Sequence, residues 1–283
     1  MTWTLSSETG RLRDVLLCRP DHYQWIPTNA IARATLAAGR PMDRAALNAE
    51  YAEMEAALDE AGVTRHYLTP EAGLPYQVYT RDSSQVSPGG PAMTMLAMPQ
   101  RRGEYAAILN FYGHPMWRMA TQGTVEGGDI HLIRPGLAAI GTSGGRTSTA
   151  GAEQYAGWLR EMGWEVILVP FDDHFLHLDV IFSMAAPGLA LACTEVLPDM
   201  FLHWLRDRQI RVIDVGYRAA MEDMACNVLA LGAGKVLSPH HSRSTNAALR
   251  AEGLTILDPE LRLFAHGGGS AHCMTMPLAR DAD

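Results

Sequence analysis

The sequence lacks the features of secreted, membrane-spanning and disulfide-stapled chains. No basic segment followed by a long apolar one opens the N-terminus, so we predict no secretory signal. The longest apolar stretch, Met184–Cys193, is interrupted by Pro187-Gly188 and is far shorter than the ~20 residues of a membrane span. Four scattered cysteines form no Cys-x-x-Cys motif. We therefore expect a cytoplasmic protein in which a cysteine is by default a buried thiol.

Nucleotide-binding signatures are missing as well. Leu231–Val236 contains Gly-Lys, but Leu229 stands where the first Walker glycine belongs, and Val236 stands where a hydroxyl would bind magnesium. Gly141–Gly145 precedes a predicted helix without forming Gly-x-Gly-x-x-Gly. We therefore interpret both glycine groups as turns and expect no nucleotide cofactor.

The charge balance argues against polyanionic partners. The 283 residues include 23 Lys and Arg against 31 Asp and Glu, a net charge of −8, which repels nucleic acids and anionic membrane surfaces. A hydrophobic content of 47% is typical of a globular protein. No low-complexity linker divides the chain, so we expect residues 1–283 to form a single domain.

A strand–turn–strand pattern recurs, each time around a glycine-containing turn, at Ile130–Gly141, Ile181–Thr194 and Asn227–Ser238. Apolar residues at helical spacing predict helices at Asp43–Ala61, Ala150–Met162, Asp199–Arg208 and Ser244–Glu252. Short apolar runs follow the last two helices. This repeated strand–turn–strand–helix–strand unit predicts a closed, pseudosymmetric α/β array.

Cys273 follows three consecutive glycines in Gly267–Pro277 (GGGSAHCMTMP). Consecutive glycines make poor helix or strand, and they are kept where the backbone passes close to another group. The segment is consistent with a nucleophile presented at the rim of the fold and with an ordinary buried thiol.

A histidine and a carboxylate form a second candidate. His177 and Asp179 are predicted to begin an apolar strand and to point to one face, as a general acid–base and a substrate-binding carboxylate would. With Asp172, Asp173 and His174 they suggest a metal cluster instead, but the two histidines fit neither helical nor strand spacing for shared ligation. A surface cluster of acids and histidines is the third interpretation.

Three shorter motifs accompany these candidates: Thr80–Ser84 (TRDSS), Glu126–Asp129 (EGGD) and Gly144–Thr147 (GGRT). Each alone fits an ordinary turn. Combined with Cys273 and His177, they suggest an acidic pocket for a guanidinium. Carboxylates would hold its N–H edges, a thiolate would attack its central carbon, and an acid would protonate the leaving amine.

With these motifs the sequence resembles the guanidino-group-modifying enzymes of the pentein fold: arginine deiminases, dimethylarginine dimethylaminohydrolases and amidinotransferases. The resemblance extends from about Thr80 to Pro277. It rests on six ordered motifs, namely Thr80-Arg81-Asp82, Glu126-Gly127-Gly128-Asp129, Gly145-Arg146-Thr147, His177-Leu178-Asp179, Asn227 and Gly267–Pro277. The arginine deiminases look most similar, because they share the His-x-Asp pair and the ending around the cysteine. The resemblance implies a five-bladed pseudosymmetric α/β propeller of ββαβ units.

The resemblance also implies roles for individual residues, without metal or cofactor. Cys273 would be the nucleophile, His177 the general acid and base, and Glu126 the group that orients and charges His177. Asp82 and Asp179 would bind the guanidinium. Arg146, together with Arg101 or its neighbour Arg102, would bind a substrate carboxylate. Asn227 would form hydrogen bonds with backbone polar groups.

Two departures from the arginine deiminases leave the substrate open. The chain has no room for their inserted helical subdomain, and Pro75–Tyr79 lacks the Asn that helps to hold the amino-acid head group. We expect a hydrolase that converts a small guanidino compound, arginine or a substituted guanidine, into a ureido product and ammonia or an amine. An amidinotransferase and a dimethylarginine dimethylaminohydrolase are the alternatives. Whether the chain forms a homo-oligomer is left open.

Overall fold

The computed structural model describes residues 3–113 and 116–282. Over these residues the chain forms five three-stranded sheets. The strands of this part are β1 (Leu12–Cys18), β2 (Thr64–Leu68), β3 (Ser84–Ser87), β4 (Gly90–Met93), β5 (Arg118–Met119), β6 (Ile130–Arg134), β7 (Leu137–Thr142), β8 (Glu165–Pro170), β9 (Phe182–Ala186), β10 (Leu189–Ala192), β11 (Arg211–Asp214), β12 (Leu229–Gly232), β13 (Lys235–Leu237), β14 (Thr255–Leu257) and β15 (Met276–Arg280). The α-helices are α1 (Ala30–Ala37), α2 (Arg44–Glu60), α3 (Glu104–Tyr112), α4 (Thr149–Glu161), α5 (Leu178–Ile181), α6 (Asp199–Asp207), α7 (Tyr217–Asp223), α8 (Arg243–Ala251) and α9 (Arg262–Ala265).

The sheets repeat one ββαβ arrangement. In the sheet β6–β7–β8, the first two strands pair antiparallel around a turn in which Gly136 has a φ of +81°, and β8 pairs parallel to β7 after α4. The sheets β3–β4–β5, β9–β10–β11 and β12–β13–β14 repeat these pairings, with α3, α6 and α8 as their crossing helices. The predicted five-bladed, pseudosymmetric α/β architecture is confirmed.

The fifth sheet joins the two ends of the described chain. β15 pairs antiparallel to β1, with Leu16 opposite Met276, and β2 pairs parallel to β1 after α1 and α2. Thr80 donates its hydroxyl hydrogen towards the carbonyl oxygens of Leu16 and Met274, at 3.0 and 3.2 Å. The closure of the ring therefore also fixes the segment that carries Cys273.

The four predicted helices agree with α2, α4, α6 and α8 to within one residue at each end. Asp43 accepts two amide hydrogens of the first turn of α2, and Ser148 accepts the amide hydrogen of Gly151 in α4.

The sequence pattern gives no signal for the sheet β3–β4–β5. Three of the four side chains of Ser84–Ser87 are polar although all four are buried, and β5 has only two residues.

The prediction that a strand begins at His177 is wrong. Leu178–Ile181 forms the single helical turn α5, and strand β9 begins at Phe182. The cause is a tertiary contact, since the Asp129 carboxylate accepts the amide hydrogen of Leu178 at 2.8 Å. His177 immediately precedes this turn, with Asp179 inside it, so the two side chains do not share a strand face.

The interior is divided into three apolar clusters. One of them packs Cys273 against core residues that include Tyr23, Tyr79 and Phe264, and the exposed fraction of Cys273 is 2%. The cysteine therefore lies inside the fold. The interpretation that placed it at the rim is wrong.

Among the helices of the described residues, none has both the length and the apolar character needed to cross a bilayer.

Deleting residues 276–283 should prevent cooperative folding, because it removes β15 and leaves β1 without its antiparallel partner. Met276 and Leu278 are both fully buried. The loss of two such side chains alone costs roughly 4–10 kcal/mol, which is comparable with the whole stability of a typical domain. Deleting only residues 281–283 retains β15 and is the control. Equal midpoints of urea unfolding for the two truncated chains would contradict a closure that depends on β15.

Candidate active site

The glycines before Cys273 allow the backbone to pass between core side chains. A Cβ on Gly267 would lie 1.9 Å from the hydroxyl oxygen of Tyr23, and a Cβ on Gly269 would lie 2.9 Å from Cys273 Cβ. Gly268 has a φ of +99°, which L-residues rarely adopt. The close approach predicted for this segment is confirmed.

Two polar groups contact the Cys273 sulfur. Asn227 Nδ2 lies 3.1 Å from Sγ, and Asp179 Oδ2 lies 3.2 Å from it. Burial and the carboxylates of Asp179 and Asp82 raise the pKa of the thiol well above its usual value, against the effect of the Asn227 amide. Without a bound cation, Cys273 is therefore a thiol at neutral pH.

Asn227 has a second function beside the one expected from the sequence. Its Oδ1 accepts the amide hydrogens of Ser270 and Cys273, at 3.0 and 3.1 Å, so it does satisfy backbone groups. The contact of its amide nitrogen with Sγ is additional. No local motif announces this contact, because the two residues are 46 positions apart.

His177 and Glu126 form a buried pair. His177 Nε2 lies 2.7 Å from Glu126 Oε2, and neither side chain is more than 2% exposed. Burial alone would lower the pKa of His177, but the Asp82 and Glu126 carboxylates raise it above its usual value. Burial likewise opposes ionisation of Glu126, whereas the bond to His177 and the charge of Arg146 lower its pKa. The resting pair is therefore an imidazolium and a carboxylate.

A strained turn positions His177. Its amide donates to the carbonyl oxygen of Phe175 at 2.8 Å, and Leu176 between them has a φ of +68° and a ψ of −74°. This is the rare γ-turn with a left-handed central residue. Gly128 packs under the ring, where a Cβ would lie 2.9 Å from His177 Cγ. Strain of this kind is concentrated at functional sites.

Arg101 binds Asp82, and its other contacts are also with protein groups. Arg101 Nη1 donates to Asp82 Oδ2 at 2.6 Å, and its Nε and Nη2 donate to the two carboxylate oxygens of Glu104 at 2.7 and 3.0 Å. Nη2 also contacts the carbonyl oxygens of Tyr76 and Tyr79. The sequence interpretation gave Arg101 to a substrate carboxylate, but its observed partners are protein groups. The neighbouring Arg102 is exposed and donates to the carbonyl oxygen of Leu96.

Arg146 connects Glu126 with the segment before α1. Its Nη1 lies 3.5 Å from Glu126 Oε2, and its Nη2 donates to the carbonyl oxygen of Thr28 at 2.9 Å. The next residue, Asn29, caps α1 through its side-chain oxygen, and its side-chain Nδ2 donates to the carbonyl oxygen of Gly267. These contacts tie the α1 segment to both the acid–base pair and the cysteine loop.

One small cavity brings most of these groups together. Its lining includes Asn29, Tyr76, Tyr79, Asp82, Arg101, Arg146, Leu176, His177 and Cys273. Its free space is about 10 Å³, roughly that of one water molecule. Asn29, the two tyrosines and Leu176 carry no recognisable sequence signal, because nothing in their local pattern differs from that of core residues.

Three buried polar atoms of the described residues at this site have no hydrogen-bond partner: Asp82 Oδ1, Asp179 Oδ1 and His177 Nδ1. Asp82 Oδ1 and His177 Nδ1 are 3.7 Å apart. A buried acceptor without a donor is costly. A small planar cation with several N–H groups would supply donors to both carboxylates.

Ligand atoms of Asp82, Glu126 and His177 lie within 4.8 Å of one another, close enough to hold a metal ion. Arg101 and Arg146 already supply positive charge to the two carboxylates, which opposes a divalent cation there.

The alternative cluster around His174 is not formed in the described residues. His174 is exposed and its Nε2 lies 3.0 Å from the hydroxyl oxygen of Tyr217, while Asp172 caps the following turn.

Comparison with known proteins places the chain in a family. Residues 24–280 match the model described as "N,N dimethylarginine dimethylhydrolase, eukaryotic". The uncharacterised protein YkgA of Bacillus subtilis is 28% identical over 97% of this chain and 94% of its own length. An arginine deiminase of Rhodococcus opacus is 31% identical over 74% of this chain, but that match spans only 61% of the deiminase.

Solved structures share the fold. The apo structure of ArgZ, a cyanobacterial arginine dihydrolase, matches with a TM-score of 0.83 at 20% identity, over 95% of this chain and 41% of ArgZ. A mutant of DDAH from Pseudomonas aeruginosa, complexed with citrulline, matches with a TM-score of 0.77 at 20% identity, over 94% and 99% of the two chains. The chain therefore belongs to the N,N-dimethylarginine dimethylhydrolase family, within the guanidino-modifying enzymes of the pentein fold.

Proposed function

We propose that this protein, acting as a single catalytic domain, hydrolyses a C–N bond of a small guanidino compound through a covalent intermediate on Cys273. The supporting observation is the set of unpartnered atoms on Asp82, Asp179 and His177 around a buried thiol. The substrate class comprises arginine and N-substituted guanidines. The products are a ureido compound and ammonia or an amine.

Substrate binding would complete the pairing of the buried carboxylates. Asp82 and Asp179 each use one oxygen within the protein and have the other free. A guanidinium presents N–H groups on several edges in one plane, so it can donate to both free oxygens. Arg101 holds Asp82 in place for this contact, and Arg146 is the remaining cation for a substrate carboxylate.

The bound cation would also activate the nucleophile. The pKa of Cys273 is raised by burial and by the Asp179 and Asp82 carboxylates, and a guanidinium placed between these groups cancels much of that repulsion. The thiol then loses its proton to solvent, and the thiolate adds to the guanidinium carbon. Asn227 donates to the sulfur and favours the thiolate.

His177 would move the protons of the reaction. As an imidazolium it donates from Nδ1 to the departing nitrogen, the C–N bond breaks, and an amidino-thioether remains on Cys273. Neutral His177 then removes a proton from water, and the resulting hydroxide adds to the same carbon. Collapse of that adduct releases the ureido product and restores the thiolate.

Hydrolysis and amidino transfer would use the same residues and differ in the group that attacks the covalent intermediate, which is water in one case and an amine in the other. The matching family model makes N-methylated arginines candidate substrates beside arginine. Product analysis by mass spectrometry over a panel of guanidino compounds, with and without added amines, distinguishes these activities.

Cys273→Ser should abolish turnover and leave folding and substrate binding largely intact, because a hydroxyl is a far weaker nucleophile near neutral pH. Acid-quenched wild-type enzyme should show, on the peptide that contains Cys273, a mass increase equal to the substrate minus the departing ammonia or amine. Cys226→Ser is the control, since Cys226 is a buried thiol outside the cavity. Turnover by Cys273→Ser within about tenfold of the wild-type rate would contradict covalent catalysis.

Glu126→Gln should shift the alkaline limb of the kcat profile to lower pH. The carboxylate raises the pKa of His177, and the reaction needs His177 protonated, so activity is lost as pH rises through that pKa. Removing the negative charge lowers the pKa and moves the loss to lower pH. Glu50→Gln, at a buried glutamate that accepts the amide hydrogen of Leu263, is the control. An unmoved limb in Glu126→Gln would argue against this pair as the acid–base unit.

Arg146→Ala should raise KM for guanidines that carry a carboxylate by at least about 30-fold, the equivalent of roughly 2 kcal/mol for a lost buried charge pair. The effect on kcat should be smaller. Agmatine and methylguanidine, which lack the carboxylate, should be affected much less. Equal losses for both substrate classes would show that Arg146 acts only through its contact with Glu126.

A further inference from the structure

A row of titratable side chains continues from Asp179 into the protein. His272 Nδ1 lies 2.8 Å from Asp179 Oδ2, and its ring stacks on that of His131 with centroids 5.5 Å apart and an angle of 13° between planes. His131 Nδ1 lies 3.2 Å from the Glu8 carboxylate. His131 and His272 are buried, and the Glu8 side chain is 11% exposed. The proposed reaction uses only Asp179 of these four residues.

The contact with Asp179 defines the tautomer of His272. An ionised carboxylate can only accept, so Nδ1 carries the hydrogen. Nε2 of the same ring has no hydrogen-bond partner, and its nearest carboxylate oxygen, on Glu8, is 4.0 Å away. Neutral His272 therefore offers Asp179 one hydrogen bond and adds no charge.

A second proton on His272 would weaken the proposed substrate site. It would convert the ring into a cation beside Asp179, which then would no longer need a guanidinium to balance its charge. Asp179 is also 3.2 Å from the Cys273 sulfur, so its charge matters for nucleophile and substrate alike. Binding of a guanidinium at Asp179 therefore requires that His272 stays neutral and that this proton lies on another group.

The groups around the stacked rings place the proton on His131. Besides Asp179, the charged groups that face them are Glu8 and Arg81, whose Nε donates to the carbonyl oxygen of His272. Burial lowers the pKa of both rings, but Glu8 reverses this for His131 and raises its pKa. For His272, burial and Arg81 prevail and lower the pKa to about 4. Two stacked imidazolium rings beside a guanidinium would repel one another strongly, so only one ring is charged.

We propose that Glu8 and His131 are positioning residues that keep His272 neutral, so that His272 orients Asp179 while leaving its negative charge available to the substrate cation. This role rests on the proposed function, since it concerns the carboxylate that binds the guanidinium. The proposal assigns a function to His131, a buried histidine among the apolar side chains of strand β6.

The first test is the pH dependence of KM for a guanidino substrate in His131→Gln. Glutamine can still donate to Glu8 but carries no charge, so His272 should take up a proton at higher pH than in the wild type. KM should rise by about tenfold near pH 6 and approach the wild-type value above about pH 8, with little change in kcat. His66→Gln, at a histidine paired with Asp14 far along the chain, is the matched control.

A rescue variant separates positioning from a merely structural effect. His272→Asn retains an amide donor for Asp179 but cannot be protonated. Combined with His131→Gln, it should remove the pH dependence of KM that the single variant introduces. A ratio of KM values between His131→Gln and wild type that is constant across pH, or a double variant with the same pH dependence as His131→Gln, would overturn the proposal.

A measurement without turnover distinguishes this proposal from the proposed function. Nitrogen-15 NMR of the imidazole rings in the unliganded wild type should show His272 as the neutral Nδ1–H tautomer, and His131 as the charged ring, from about pH 5.5 to 6.5. If no guanidino compound is converted but these states are observed, the proposed function fails and the arrangement of charges stands. A His272 that titrates within this range in the wild type would overturn the inference, even if the enzyme is active and even if His131→Gln does not fold.

Discussion

The removal of several carboxylates from water in one place is the constraint on which the site depends. The side chains of Glu126 and Asp179 are fully buried, and that of Asp82 is 4% exposed. Buried charges are tolerated only when they are paired and hydrogen-bonded. Arginine and histidine partners satisfy one oxygen of Asp82 and of Asp179, and the other oxygen has no partner. The fold thus leaves one buried acceptor oxygen on each of these two carboxylates that a small cation with several N–H groups can satisfy.

The same electrostatics set the state of the nucleophile. Negative charge close to Cys273 favours binding of a guanidinium but also stabilises the thiol over the thiolate. In our proposal these opposing effects are coupled, since the substrate supplies the positive charge that the sulfur lacks. A thiol that ionises only beside its substrate is protected from other electrophiles and oxidants while the site is empty. The side chains that line the cavity are buried, so solvent screens these interactions only weakly.

Geometry at the site is maintained by backbone arrangements that cost conformational energy. The γ-turn at Leu176 aims His177, and the glycine segment before Cys273 passes within contact distance of Tyr23. Neither arrangement is favourable in isolation. Both are maintained by the closed ring of blades, in which β1 and β15 pair and a cluster of buried apolar side chains surrounds Cys273. Stability of the fold and accuracy of the site are therefore linked through the closure.

The sequence by itself determined the ββαβ unit in three of the five blades, the four main helices and the residue types of the site. Those features follow from local spacing, turn residues and caps such as Asp43, which act within a few residues of chain. Only the tertiary structure decided that His177 precedes a helical turn, that Arg101 is occupied by Asp82 and Glu104, and that Asn227 reaches the sulfur. The physical reason is that these contacts balance buried charges and unpaired polar atoms across distant segments. Which groups meet there depends on the closure of the ring and leaves no local pattern in the sequence.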